Sequence, residues 1–215
     1  MDGSAGADTL VYLRHFLSVL TVFMSTATSS TPSSQYRLRR AADVLWSGGV
    51  VCHPTEAVWG LACLPGQLTA VQRIWDLKQR DPAKGLILVS DSAERFAPLL
   101  EGLPAEAREH VLASWPGPNT WVIPDLDFIP VWIRGRFSSV AVRVSDHKLT
   151  RALCRAADSF LVSTSGNPAG AEPAVNQAQA QRYFAGDVDY YLPGATGGLQ
   201  QPTTIRDALT GQVLR

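Results

Sequence analysis

The sequence predicts one α/β domain. Helical and strand signals alternate, with short connections, from Tyr36 onward. Gly85-Leu-Ile-Leu-Val89 is apolar without alternation, the pattern of a strand covered on both faces. The chain has 215 residues, 46% of them hydrophobic and 18% charged, which is enough to bury a core without a disulfide or metal staple.

Residues 1–34 precede this rhythm. Thr9–Phe23 is apolar, but it is shorter than the roughly 20 residues of a spanning helix, and Arg14 and His15 interrupt it. Asp2 and Asp8 stand where a secretory leader carries basic residues. The Ser/Thr-rich run after Met24 cannot offset its own ordering entropy. The expectation is an N-terminal extension, disordered or lying upstream of a start at Met24, with the organised domain spanning 35–215 and no membrane contact.

Leu38, Ala41, Ala42 and Leu45 have helical spacing, and Gly48-Gly49 stops that helix. Val50-Val51-Cys52 reads as a short buried strand ending at His53-Pro54-Thr55-Glu56. Gln67–Gln79 is a second helix, with Val71, Ile74, Trp75 and Lys78 on one face and Pro82 beyond its end. After the Gly85–Val89 strand come helices near Ala93–Leu100 and Ala105–Ser114. Trp115-Pro-Gly-Pro-Asn-Thr120 is a rigid turn into the strand Trp121–Ile123. Ser139–Val144 is a strand, and Asp146 is a candidate N-cap for a helix carrying Leu149, Leu153 and Ala157. Phe160–Val162 is a strand running into Ser163-Thr-Ser-Gly-Asn167. A helix near Asn176–Phe184, a strand near Val188–Tyr191, the glycine-rich Pro193–Gly198 and a strand at Thr204–Arg206 complete the domain.

Nineteen basic residues balance nineteen acidic ones, which argues against a general coat for nucleic acid or an anionic membrane. The three cysteines, Cys52, Cys63 and Cys154, form no C-x-x-C, so neither a disulfide framework nor a zinc ribbon fits, and the chain reads as cytoplasmic. The sequence contains no G-x-x-x-x-G-K-[ST], no G-x-G-x-x-G after a strand, no H-E-x-x-H and no G-x-S-x-G. No residue set reads as a metal site.

Four constellations remain. Thr55 follows a strand, where open α/β sheets bind ligands, or it caps its own turn. Lys78 and Arg80 straddle a helix end before Pro82, either turned together toward an anion or complementing the helix dipole in solvent. Ser163, Thr164, Ser165 and Asn167 can present hydroxyls and backbone N–H groups to phosphate, or serve their own turn. Arg143 sits in an apolar strand and needs a partner, which Asp146, another acid or a bound anion could supply. Thr120, Thr204 and Arg206 can face the same cleft. These residues alone describe an anion-binding α/β domain.

In order, HPTEAVWGL, LKQR, KGLILV, WPGPNTWV, AVRVSDH, LVSTSGNPAG and PTTIRDALTGQVLR resemble the threonylcarbamoyl-AMP synthase family, TsaC/YrdC type, in its single-domain form, over Gln35–Arg215. The resemblance implies a YrdC-like fold: a twisted, mostly mixed β-sheet flanked by helices around a concave basic groove. It implies a nucleotidyltransferase that makes threonylcarbamoyl-AMP and pyrophosphate from L-threonine, bicarbonate or CO2, and ATP carrying Mg2+. Partner proteins then transfer the threonylcarbamoyl group to tRNAs reading ANN codons (the t6A modification). The family's K-x-R falls on Lys78 and Arg80 as catalytic residues, and its threonine and carbamate ligands fall on Thr55, Thr120 and Arg143. ATP is assigned to Ser163, Thr164, Ser165, Asn167, Thr204 and Arg206. His53 stands where the family often has tyrosine, and Gly166 where alanine is commoner. The alternative is a double-stranded-RNA-binding or ribosome-maturation factor using the same groove; zero net charge weakens it, though weak RNA binding beside the catalytic role is compatible with it.

Overall fold

The computed structural model describes residues 32–125, 127–201 and 203–215. The expected extension therefore lies outside the described residues except for its last three, which are already helical: α1 spans Pro32–Trp46. From Tyr36 to Arg215 the chain is one compact unit.

The elements follow in order. β1 (Val51–Pro54) and β2 (Trp59–Cys63) form an antiparallel hairpin, and α2 covers Leu68–Lys78. A 3-10 turn at Pro82–Lys84 leads into β3 (Ile87–Ser90). A 3-10 turn at Glu94–Phe96 precedes α3 (Ala97–Glu101) and α4 (Ala105–Ala113). Then come β4 (Asn119–Pro124), α5 (Val131–Arg134), β5 (Ser139–Val144), α6 (Lys148–Ala156) and β6 (Leu161–Ser165). α7 (Gln177–Phe184), β7 (Tyr190–Tyr191) and β8 (Thr204–Asp207) close the fold. The sheet has eight strands in the order β7-β1-β2-β6-β3-β5-β4-β8. Its pairings are mixed: β1–β7, β3–β5 and β4–β8 are parallel and the other four antiparallel. Among the described residues no helix is long and apolar enough to cross a membrane.

Side chains alternate between the two faces of a strand, and here the two faces differ. One presents Cys52, Leu61, Leu88, Val142 and Val162 to α2, α3, α4 and α7, burying Val71, Ile74, Leu99, Val111 and Phe184. The opposite face presents Val51, Ala62, Val89 and Leu161 to α1 and α6, against Ala41, Leu45, Leu153 and Cys154. Farther along this second face the residues are smaller or polar: Ser163, Ile87, Ala141 and Val122 lie side by side across four strands. Ile87, Ala141 and Val122 are only half-buried, whereas their neighbours Leu88, Val142 and Trp121 are buried. A concavity results where helices cover only part of a face.

Three local expectations change. Trp59–Cys63 is a strand, not a turn after β1. β6 runs on through Ser165, and β4 begins at Asn119, so Ser163, Thr164, Ser165 and Thr120 sit on strands rather than in turns. The α6 N-cap is His147, whose side chain accepts from the Thr150 amide, while Asp146 is exposed and ion-pairs loosely with Arg151 at 4.0 Å. An imidazole acceptor at the N-cap does the work usually assigned to a carboxylate.

Candidate active site

The uncovered part of the sheet forms a cleft of about 610 Å3. Strands β5 and β6 supply its floor, with Ala141, Arg143, Ser163 and Ser165; the β1–β2 loop supplies Thr55, Ala57 and Val58. Five cationic side chains line it: Arg80, Lys84, Arg134, Arg143 and Arg215; no carboxylate side chain does among the described residues. Its apolar lining includes Leu86, Ile133, Phe137, Ile205 and Leu214.

Arg143 is 5% exposed and ion-paired with Glu56, which is 6% exposed. The same Glu56 Oε1 accepts from Ser145 Oγ at 2.7 Å. Burial alone would raise the Glu56 carboxyl pKa, but the Arg143 charge and the hydrogen bonds from Arg143 and Ser145 outweigh it and hold the pKa near 2. Glu56 thereby ties the β1–β2 loop down onto β5. The glycine-rich segment lies over that loop, with Gly197 N donating to Thr55 O at 2.9 Å and Leu199 N to Glu56 O at 3.0 Å. A Cβ on Gly197 would come within 3.1 Å of Glu56 backbone atoms, so the close approach favours glycine. Beneath, His53 is fully buried, with Nδ1 against Pro54 O at 3.0 Å and Nε2 unpartnered. Desolvation pushes its pKa down to about 4, so it is neutral at physiological pH.

Thr55 serves its own turn and lines the cleft at once: Oγ1 donates to Val58 O at 2.7 Å, and the hydroxyl oxygen keeps acceptor capacity. Lys78 is 6% exposed and does not line the cleft. Its Nζ donates to the backbone oxygens of Ser165 and Asn167, the latter at 2.7 Å, binding the end of α2 to the Ser165–Asn167 turn. Burial, and then the charge of Arg80, lower its pKa to about 8. Gln79 ends α2 in the left-handed conformation, and the chain reverses so that Arg80 turns into the cleft, donating to Gly85 O at 2.8 Å.

Of the residues singled out from sequence, Thr55, Arg80, Arg143, Ser163, Thr164 and Ser165 line one cleft. Lys78, Thr120, Asn167, Thr204 and Arg206 do not. Asn167 donates its amide to Pro168 O and Ala171 O, serving its own turn, while its Oδ1 is buried without a partner. Thr120 is fully buried and reaches the cleft only through Thr203, 3.4 Å from its hydroxyl. On β8 the alternation runs the other way: Thr203 and Ile205 line the cleft, leaving Thr204 and Arg206 on the opposite parity. Lys84, Arg134, Phe137, Thr203 and Arg215 were not read from sequence. Strand parity at Thr204–Asp207 could have found Thr203; the other four carry no local signal.

The family model Sua5_yciO_yrdC, described as "Telomere recombination", matches residues 43–215. The chain belongs to the Sua5/YciO/YrdC family. It is 48% identical over 182 residues to the threonylcarbamoyl-AMP synthase of Hahella chejuensis, covering 85% of this chain and 99% of that one. It is 48% identical over 190 residues to the synthase of Marinobacter nauticus, covering 88% of this chain and all of that one. The crystal structure of P. abyssi Sua5 complexed with L-threonine matches with a TM-score of 0.77 at 29% identity, covering 84% of this chain and 54% of that longer one. The YrdC-like mixed sheet expected from the family resemblance is the observed fold.

Two consequences can be measured. Glu56→Gln leaves Arg143 buried without its counter-charge and should cost about 3 kcal/mol. The carboxylate's contribution is present above pH 4.5, its unfolded value, and is lost as pH falls through about 2. The loss of stability between those limits should therefore be shallower in the variant by chemical denaturation. Lys78 is charged below about pH 8, so affinity for a non-hydrolysable ATP analogue should fall as pH rises through that value, by at most about tenfold per pH unit. In Lys78→Gln the affinity should be weaker and flat from pH 7 to 9.5; a flat wild-type profile would refute a role for that charge.

Proposed function

We propose that the chain is an enzyme that makes threonylcarbamoyl-AMP from L-threonine, bicarbonate or CO2, and ATP, releasing pyrophosphate, and water as well when bicarbonate is the carbon source. The observation that carries this reading is near-end-to-end identity of 48% to synthases, on a cleft whose described lining is cationic and free of carboxylate side chains. Both threonine and ATP bring anionic groups, and such a cleft favours them over cations.

The chemistry belongs to the nucleotidyltransferases. The threonine amine and CO2 form a carbamate, and a carbamate oxygen attacks the α-phosphorus. The new O–P bond forms as the bond to the β-phosphate oxygen breaks, and pyrophosphate leaves; Mg2+ bound to the phosphates of ATP would offset part of that charge. No covalent enzyme intermediate is needed. The protein's task is to hold two anions in line, offset the charge that develops on the phosphates, and limit water near a labile carbamate and mixed anhydride.

In this reading Arg143 and Thr55 hold the threonine carboxylate and carbamate. Arg143 already spends one side on Glu56, which fixes the guanidinium's orientation before substrate arrives. Ser163 and Ser165 contact phosphate or ribose oxygens. Arg80 offsets charge at the α-phosphate. Lys78 acts from behind, adding positive charge while its Nζ shapes the Ser165–Asn167 turn, and Thr120 steadies Thr203. Asn167, Thr204 and Arg206 support the nucleotide side through their backbone and strand pairing. The apolar lining around Phe137 and Ile133 suits the adenine ring. Proteins that carry the threonylcarbamoyl group to tRNA would be the downstream partners. The relatives' names do not favour the RNA-binding alternative.

Purified protein in bicarbonate buffer should release pyrophosphate from ATP when L-threonine is present and much more slowly with serine. Lys78→Ala should lose that turnover while melting as a folded protein. Threonine-independent release, or none with any amino acid, would overturn the reading.

A further inference from the structure

The glycine-rich strap Pro193–Gly198 lies over the β1–β2 loop, whose Thr55 lines the cleft. Main-chain hydrogen bonds tie it at both ends. Leu192 N donates to Cys52 O at 2.9 Å on one side, and Gly197 N and Leu199 N donate to Thr55 O and Glu56 O on the other. Between those ties the strap packs against the start of α6 and the end of β1. A Cβ on Gly194 would stand 2.6 Å from Leu149 Cδ2 and 3.1 Å from Pro54 Cγ. In this middle stretch the side chain of His147 reaches the strap, with Nε2 3.0 Å from Ala195 O.

A carbonyl oxygen only accepts, so Nε2 carries the ring proton in that bond. Nδ1 is then an acceptor, and it takes the Thr150 amide at 3.4 Å as the N-cap of α6. The two bonds select the same neutral tautomer. The backbone of the same residue serves the ion pair: His147 N donates to Ser145 Oγ at 3.1 Å, and Ser145 Oγ donates to the Glu56 carboxylate that holds Arg143. Thr150, capped by the imidazole, is fully buried, and its Oγ1 lies 3.3 Å from Pro54 O, next to Thr55. One half-buried residue is thus joined to the strap, to α6 and to the groups that fix the β1–β2 loop. An N-cap needs only an acceptor, which Ser, Asn or Asp would supply. A donor on the far side of the ring is what those residues lack, and here it meets Ala195.

We propose that His147 is a positioning residue for the amino-acid end of the cleft: its Nε2–H latches the strap down over Thr55 and Glu56 and keeps that rim formed. His147 does not line the cleft, so it acts through Thr55 and Glu56. The assignment rests on the reading of Thr55 and Arg143 as threonine ligands, and adds the group that holds their surroundings in place.

Two substitutions separate the latch from the cap. In His147→Asn the side-chain oxygen stands as many bonds from Cβ as Nδ1 does and caps α6, but nothing reaches Ala195. In His147→Gln the amide nitrogen stands as many bonds from Cβ as Nε2 does and reaches Ala195, but the cap is poor. His147→Asn should melt close to wild type, yet raise the KM for L-threonine about fivefold, the loss of one neutral hydrogen bond, with the KM for ATP within about twofold. His147→Gln should melt lower and recover most of the threonine affinity. The amides of Gly197 and Leu199 should lose about fivefold in protection from hydrogen exchange in His147→Asn, and less in His147→Gln. An unchanged threonine KM in His147→Asn would overturn the proposal. So would an equal rise for ATP, or a threonine defect in His147→Gln as large as in His147→Asn. A wild type without threonine-dependent turnover would instead refute the synthase reading. Exchange still decides the latch in that event: equal protection of Gly197 and Leu199 in wild type and His147→Asn refutes it.

Discussion

A buried guanidinium on the middle of a sheet is the constraint around which the cleft is arranged. Arg143 occupies an interior strand, where an unpaired charge costs several kcal/mol, and Glu56 arrives from the β1–β2 loop to meet it. Ser145 adds a hydrogen bond, so the carboxylate stays ionised in spite of burial. Because Glu56 is fixed, its neighbour Thr55 is fixed at the cleft's rim, and the backbone of both accepts from the glycine-rich segment at Gly197 and Leu199. The same pair therefore closes the fold locally and orients the Arg143 guanidinium at the cleft. A guanidinium whose inner side is already matched keeps its orientation when an anion occupies the outer side.

The second organising fact is an imbalance. The whole chain carries as many acids as bases, yet the described lining of this cleft has five cations and no acidic side chain. Two of the five, Arg134 and Arg143, are neutralised from behind by Asp125 and Glu56, which stand outside the lining. Arg80, Lys84 and Arg215 form no ion pair with an acidic side chain among the described residues. Net charge is blind to such sorting, and local distribution is what selects an anionic ligand.

Much of the fold was legible because helical spacing and apolar strand runs are local signals. Val71, Ile74 and Lys78 on α2, and the unalternating run of β3, fall where the pattern places them. Long-range partners were not legible. Arg143 is served by Glu56, 87 positions earlier, and not by the nearby Asp146, because register and loop packing set that choice. Trp59–Cys63 escaped notice as a strand since it is short, fully buried and lacks alternation. At the site, residue types were legible but parity was not. One step along the β8 edge exchanges Thr204 and Arg206 for Thr203 and Ile205, whereas Ser163, Thr164 and Ser165 on the extended β6 all line the cleft. Lys78 shows a third case: a residue type suited to phosphate whose Nζ holds the backbone of a neighbouring turn.

The proposed reaction joins threonine, inorganic carbon and adenylate in one molecule. Pyrophosphate release alone would not separate that from direct activation of threonine's own carboxylate, which also consumes ATP. Mass spectrometry of the product formed in 13C-bicarbonate makes the separation directly. The account predicts an adenylate containing threonine and one labelled carbon, absent when threonine is omitted. An adenylate of threonine without the label, or labelled carbon found only outside the adenylate, would contradict it.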